Sequence, residues 1–407
     1  MKFSNYCGII NIVENYFYEI DRRMKMEYRK LGNTNLEVSA VGLGAEHLDG
    51  KPYAQVEETI EAALENGINI MDVFMPGHEI RRNIGKALGN RRKDVIIQGH
   101  ICSVDLNQQY DISRDLDTCK RYFDNLLQDL KTDYIDVGML FFIDSEDDYN
   151  GVFHTGIIDY VKDLKKSGVI RAIGASSHNP IIAKKVIETG LVEVLLFSIN
   201  PAFDLVPGDK SIFEALDSDF NKQTLVTLDT LRTELYRLCE SRGTGITVMK
   251  TFGAGKLLSK EHSPFLDALT PEQCIHYALS RPAVSSVLLG CQSRAEIEAA
   301  VRYFTATDEE KDYSTVISTY EESYKGKCMY CNHCQPCPSN IDIATVTKYF
   351  DIARLTPNAL PPSIVQHYKE LSFHGSDCIA CGSCETRCPF SVAIIENMKN
   401  AANIFGV

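Results

Sequence analysis

Tyr160-Val-Lys-Asp-Leu-Lys-Lys-Ser-Gly-Val-Ile-Arg-Ala-Ile-Gly-Ala-Ser176 joins a helix-like segment to a short apolar run through a Ser-Gly stop. The same alternation of short apolar runs with amphipathic stretches continues in both directions from Val41 to Phe304, the pattern of repeated βα units around a parallel sheet. Strands are expected at Val41 to Leu43, Ile68 to Val73, Val95 to Ile101, Tyr134 to Phe142, Ile170 to Ser176, Val192 to Ile199, Ile246 to Phe252 and Val284 to Gly290. Helix-like segments follow them, among them Gln55 to Glu65, Leu231 to Ser241 and Pro271 to Leu279. Thr270-Pro271-Glu272-Gln273 and Ser293-Arg294-Ala295-Glu296 both read as capping boxes, the first with Pro at the first helical position. Eight such units in about 260 residues is the size of an α/β (β/α)8 TIM barrel. A doubly wound open sheet is the alternative, but no Gly-rich dinucleotide fingerprint follows the first strand.

A chain of 407 residues is too long for one small core. Three segments are expected: an N-terminal extension over 1–25, the barrel over 26–310, and a linker helix with a cysteine-rich domain over 311–407. The first 25 residues lack a clean apolar stretch and a small-residue cleavage site, so they do not read as a signal peptide. With a net charge of −13 and no sustained basic block, nucleic acid is not an expected partner. The longest apolar runs, such as Val192 to Ile199, fall far short of the roughly 20 residues that span a bilayer. The long polar stretch Ala202 to Thr230 would lie over the C-terminal face of a barrel, where active sites sit.

Of the 14 cysteines, Cys7, Cys102, Cys119, Cys239, Cys274 and Cys291 are scattered singly and read as small buried hydrophobes. The other eight form two runs, Cys328-x2-Cys331-x2-Cys334-x2-Cys337-Pro338 and Cys378-x2-Cys381-x2-Cys384-x3-Cys388-Pro389. The second has the bacterial ferredoxin spacing, in which the fourth cysteine serves the other cluster. Two [4Fe-4S] clusters are therefore expected, one on Cys328, Cys331, Cys334 and Cys388, the other on Cys378, Cys381, Cys384 and Cys337. Zinc is the competing metal, since paired Cys-x2-Cys units also build four-cysteine zinc sites. Thiols kept for metal ligation imply a reducing, cytoplasmic setting.

Glu27-Tyr-Arg-Lys-Leu-Gly-Asn-Thr-Asn-Leu-Glu-Val-Ser-Ala-Val-Gly-Leu-Gly44 resembles the opening hairpin and first strand of aldo/keto reductases. Gly67-Ile-Asn-Ile-Met-Asp72, Thr132-Asp-Tyr-Ile-Asp136, Gly168-Val-Ile-Arg-Ala-Ile-Gly174 and Pro282 to Gly290 are similar to that family too. The tail resembles the subgroup with a C-terminal bacterial-ferredoxin-like extension. The resemblance implies a catalytic Asp-Tyr-Lys-His set, of which only Asp72 is matched. The Tyr position falls within Val73-Phe74-Met75-Pro76-Gly77, the Lys becomes His100 and the His becomes Phe141. A general acid is missing, so carbonyl reduction by the family's usual route is not expected. The Glu-Asn pair that contacts the cofactor's adenine in the family is replaced by Ala299 and Ala300. For an NADP(H) or NAD(H) cofactor the resemblance leaves Ser176 and Ser177 toward the carboxamide, and Lys250, Ser293 and Arg294 toward phosphate.

His47, Asp72, His100, Asp144, His178 and Lys250 all fall at or just beyond expected C-terminal strand ends and would meet at one barrel mouth. Asp72 with His100 is the expected catalytic pair, His100 serving as the replacement acid. A divalent metal on His47, Asp72, His100 or His178 is a further possibility. The expected activity is an iron-sulfur oxidoreductase that relays electrons to or from a small molecule at an apolar mouth lined by Phe74, Phe141 and Phe142. Two alternative activities fit the same residues. The first is a degenerate barrel docking as an electron-transfer subunit on a redox protein partner, with the apolar tail Ile404-Phe405-Gly406-Val407 as one contact surface. The second is a nonredox lyase or isomerase using His100.

Overall fold

A computed structural model of the chain describes all residues except 1–25, 107–108, 219, 221–224, 226–228, 319–324 and 356–359. The proposed N-terminal extension and Cys7 therefore lie outside the described residues. Twelve strands are assigned among the described residues. An antiparallel hairpin, β1 (Tyr28–Lys30) and β2 (Glu37–Ser39), precedes the first long unit. Eight parallel strands then close into a barrel: β3 (Val41–Gly44), β4 (Ile70–Val73), β5 (Ile96–Ile101), β8 (Ile135–Leu140), β9 (Ile170–Ser177), β10 (Val194–Ser198), β11 (Gly245–Met249) and β12 (Val284–Leu289). Each pairs with the next in that order, and β12 returns to β3. A second hairpin, β6 (Ser103–Leu106) and β7 (Gln109–Ile112), rises directly from the end of β5.

The barrel closes because the strands are apolar on both faces. Ile70, Val137, Met139, Ala172, Val194, Leu196 and Leu288 fill the inside, and Leu31 and Val38 of the first hairpin plug the N-terminal end. That plug needs glycine at position 32. Its φ is +57°, and a Cβ there would stand 2.3 Å from the Gly245 amide nitrogen at the start of β11. The outward faces pack against the helices in a larger core, within which Cys102, Cys119, Cys239, Cys274 and Cys291 are all buried.

Local signals hold at Thr270, whose hydroxyl accepts from the Gln273 amide while the Gln273 side chain caps in return. Ser293 accepts from the Glu296 amide, but the Glu296 carboxylate turns to the amide of Gln292, so the reciprocal half of that box is shifted by one residue.

The C-terminal part corrects the sequence reading. After the short helices Asp308–Lys311 and Ser314–Ile317 come helices Ile343–Leu355, Pro362–Lys369, Ser383–Arg387 and Ile394–Phe405, and no strand is assigned there among the described residues. No ferredoxin-type iron-sulfur domain is evident among the described residues. Among the described residues no group of three or more His, Cys, Asp or Glu side chains could hold a metal ion. The expected exposure of the apolar tail is corrected at Phe405 alone, which is buried with its ring stacked on Tyr368 at 3.9 Å, while Ile404, Gly406 and Val407 are exposed. The helices are tied to the barrel by buried Arg281, which stacks on Tyr277 and Tyr330 and donates to the Tyr313 hydroxyl and the Met329 carbonyl.

Candidate active site

Strand alternation puts Gln98 and His100 on one face of β5, and both reach across to β4. Gln98 Nε2 donates to Asp72 Oδ1 at 2.9 Å, and His100 Nε2 lies 2.8 Å from the same oxygen. All three side chains are buried. With the Asp72 carboxylate accepting, a neutral His100 imidazole has its proton on Nε2 and a lone pair on Nδ1. No hydrogen-bond partner reaches His100 Nδ1 among the described residues.

Around this pair the walls are aromatic. Phe74 stands edge-on to His100 at 6.0 Å and stacks on Phe141 at 5.6 Å, while Phe141 is edge-on to His100 at 5.3 Å. Tyr110, carried by the β6–β7 hairpin, meets both rings at 5.4 and 6.4 Å. The sequence reading missed this phenol. The alternation of Val104 and Leu106, then Tyr110 and Ile112, was the available signal for the hairpin that carries it. Phe142 follows with φ +54°, in the left-handed region, and the strained turn is clamped by Arg114, which donates to the Phe141 and Phe142 carbonyls and to Asp148.

A second constellation lies beyond the Phe141–Phe142 wall. Asp144 accepts from the His178 amide through Oδ1 at 2.6 Å and pairs with His178 Nδ1 through Oδ2 at 2.9 Å, while Ser177 Oγ donates to Oδ1. His178 Nε2 in turn lies 3.4 Å from Lys250 Nζ. Burial pushes the Asp144 carboxyl up, but the His178 hydrogen bond and charge outweigh it and hold it below the ordinary carboxylate value. Burial holds His178 below its ordinary value against the pull of Asp144, and burial likewise lowers Lys250. Lys250 is itself left-handed at φ +57°, and buried Asn200 holds it there, donating to its carbonyl at 2.9 Å while accepting from the Ala202 and Phe203 amides.

His47 stands apart from both pairs. It covers Gly290, where a Cβ would lie 2.3 Å from His47 Nδ1. The six polar residues expected at the mouth thus divide into Asp72–His100, Asp144–His178–Lys250 and an isolated His47. They do not gather into a metal site, which corrects the divalent-metal expectation.

Four of the five residues expected to hold a nicotinamide cofactor, all but Lys250, are already engaged within the chain. Ser176 Oγ accepts from the Phe142 amide at 2.8 Å, Ser177 serves Asp144, and Ser293 caps its own helix. Arg294 donates to Glu65 at 2.7 Å and lies 3.9 Å from Glu58, so its charge faces carboxylates. The Ser293–Arg294 position is no open cradle, and with Lys250 alone of the set facing no carboxylate, the set fits the cofactor poorly.

The two cysteine runs are brought together, each lending one residue to the other. Cys328, Cys331, Cys334 and Cys388 line one cavity; Cys337, Cys378, Cys381 and Cys384 line a second. The sulfurs line walls without converging into a group able to hold a metal ion, and at two of them burial favours the neutral thiol, pushing Cys331 up to about 11 and Cys334 up to about 12. This overturns the expectation of two [4Fe-4S] clusters, and with it that of an electron relay through them. Cys381 is exposed, and hydrogen bonds from the backbone and hydroxyl of Ser383 lower it.

A closed eight-stranded parallel barrel, with buried acid/base pairs at the carboxyl ends of its strands, defines a TIM-barrel protein of enzyme type. Residues 40–272 match the aldo/keto reductase family, and the chain belongs to that family. It is 28% identical over 294 residues to the uncharacterized oxidoreductase YqkF of Bacillus subtilis, covering 68% of this chain and 91% of that protein. It is 26% identical over 315 residues to L-galactose dehydrogenase of Arabidopsis thaliana, covering 69% and 89%. The holo form of aldo-keto reductase AKR11C1 from Bacillus halodurans superposes with a TM-score of 0.56 at 23% identity, over 70% of this chain and 94% of that one. No helix among the described residues is long and apolar enough to cross a membrane.

Proposed function

We propose that the protein is an oxidoreductase acting on a small carbonyl or hydroxyl compound at the barrel mouth, with His100 and Asp72 handling the proton in place of the family's phenol. The observation that carries this reading is the buried His100 imidazole, fixed at 2.8 Å by Asp72 and left with an unpartnered Nδ1. In the alcohol-to-carbonyl direction Nδ1 takes the hydroxyl proton and Asp72 stabilises the imidazolium that forms; in reverse the imidazolium returns it. Phe74 and Phe141 keep this corner apolar, which strengthens the Asp72–His100 interaction.

A nicotinamide cofactor would supply hydride. Because Ser176, Ser177, Ser293 and Arg294 are engaged within the chain, no step runs through it, and a redox protein partner is the other electron source.

The test is anaerobic titration with NADPH and NADH, followed by turnover of an aldehyde and alcohol panel by wild type, His100→Gln and Asp72→Asn. Loss of about 10²-fold or more in kcat for His100→Gln, with unchanged circular dichroism, is expected. Full activity in that variant removes the proposal. Neither nucleotide binding moves the electron source to a protein.

The division at residue 310 is a separate proposal, supported by the change there from repeated βα units to helices with no strand assigned among the described residues. Limited proteolysis tests it: cleavage near residue 310 that leaves a stable barrel fragment supports the division, and cutting that spares this region overturns it.

A further inference from the structure

We propose that Lys250 is a nucleophilic amine that forms an imine with carbonyl compounds entering the mouth, with His178 as its proton partner and Asp144 as the positioning residue. This rests on the reading that the mouth admits carbonyl compounds.

Three features of the geometry carry it. First, Lys250 follows the carboxyl end of β11 and is half-buried, yet among the described residues no carboxylate lies within ion-pair distance of Nζ. Its neighbours are His178 Nε2 at 3.4 Å and the Phe213 ring at 5.5 Å. An ammonium withdrawn from water without a counter-charge is disfavoured, so this environment favours the neutral amine. Second, the two hydrogen bonds that Asp144 accepts from the backbone amide and Nδ1 of His178 fix the imidazole with its proton on Nδ1, so Nε2 presents a lone pair toward Lys250. The two groups thus share a proton acceptor and a proton donor. Third, the space beside them is apolar. Phe142 and Phe213 lie 5.1 and 4.9 Å from the His178 ring and stack on each other at 6.2 Å. Burial lowers both Lys250 and His178, in the same direction as this reading, while Glu46 and Asp144 act on Lys250 in the opposite sense.

The step balances without an oxidant or reductant. The Nζ lone pair forms the N–C bond as the carbonyl π pair moves to oxygen. Both amine protons are carried to that oxygen through His178 Nε2, one at a time. The C–O bond then breaks to release water, leaving C=N between Lys250 and the former carbonyl carbon.

The test uses the full-length protein with benzaldehyde and sodium cyanoborohydride at pH 7, followed by proteolysis and mass spectrometry. The expected result is a reduced benzyl adduct on Lys250 that forms at least about tenfold faster than on any other lysine. His178→Gln should slow that adduct by about tenfold while labelling of the other lysines is unchanged. Labelling of Lys250 no faster than of exposed lysines overturns the proposal. So does a His178→Gln rate equal to wild type. Trapping needs no turnover, so this result is independent of whether the oxidoreductase assays succeed.

Discussion

Replacing His276 by Gln should flatten the acid dependence of stability. His276 lies on helix Pro271–Leu279, packed against the rings of Tyr303 and Tyr313, with Nδ1 3.1 Å from the Tyr303 hydroxyl. Burial, then the positive charges of Lys311 and Arg281, hold it down to about 4 from an ordinary 6.5, with Asp308 opposing. The unfolded chain therefore takes up a proton near pH 6.5 that the folded protein refuses until about pH 4. Between those values the unfolded state binds more protons, so stability is full above pH 6.5, falls as pH drops, and levels off below about 4. A difference of about 2.5 units at about 1.4 kcal/mol each gives at most about 3 kcal/mol. His276→Gln keeps an amide near the Tyr303 hydroxyl and removes the titration. Urea unfolding should be followed by circular dichroism, since the chain has no tryptophan. Wild type should lose stability more steeply than the variant between pH 6.5 and 4, and the two curves should run parallel above pH 7. Parallel curves throughout would refute the reasoning.

Asp136 is buried on β8, where it accepts from the Ile97 amide, Arg92 and Arg171. Asp136→Ala leaves buried Arg92 without its carboxylate and the Ile97 amide without that acceptor, and should cost about 3–5 kcal/mol in a urea midpoint series; a loss under 1 kcal/mol sinks the assignment. Gly174→Ala puts a Cβ 2.1 Å from Met139 Sδ inside the barrel and should cost about 1–3 kcal/mol, a loss that Met139→Ala in the same chain should partly relieve. Thr270→Ala removes the hydroxyl that caps helix Pro271–Leu279, for about 1 kcal/mol, and Thr270→Ser should restore most of it.

The eight barrel strands were legible because strands buried on both faces become continuous apolar runs, such as Val192 to Ile199 over β10. Boundaries shifted by up to three residues, as at Ile68 against Ile70, Phe142 against Leu140 and Phe252 against Met249, where strand-forming residues continue beyond the ladder bonds. The hairpin Ser103–Ile112 escaped notice because its alternation is short and broken by polar residues, and with it Tyr110 was missed. Asp72 and His100 could be paired in advance because they occupy corresponding ends of neighbouring strands. The link from Asp144 through His178 to Lys250 could not, since it joins three loops separated by up to about 100 residues.

Spacing made the cysteine runs legible as units, but ligation requires sulfurs to converge in space, and linear spacing constrains only the order in which they arrive. Packing of helices Ile343–Leu355 and Ile394–Phe405 sorts the eight into two lined cavities, and the correction follows from where those walls hold the thiols. By itself, then, the sequence determined the barrel and the mouth at which its polar residues lie, because apolar periodicity and strand ends are local properties. Tertiary structure alone decided which of those residues touch, which carboxylate orients which imidazole, and which lysine is left without a counter-charge. Hydrogen bonds and burial depend on atoms brought together from distant parts of the chain.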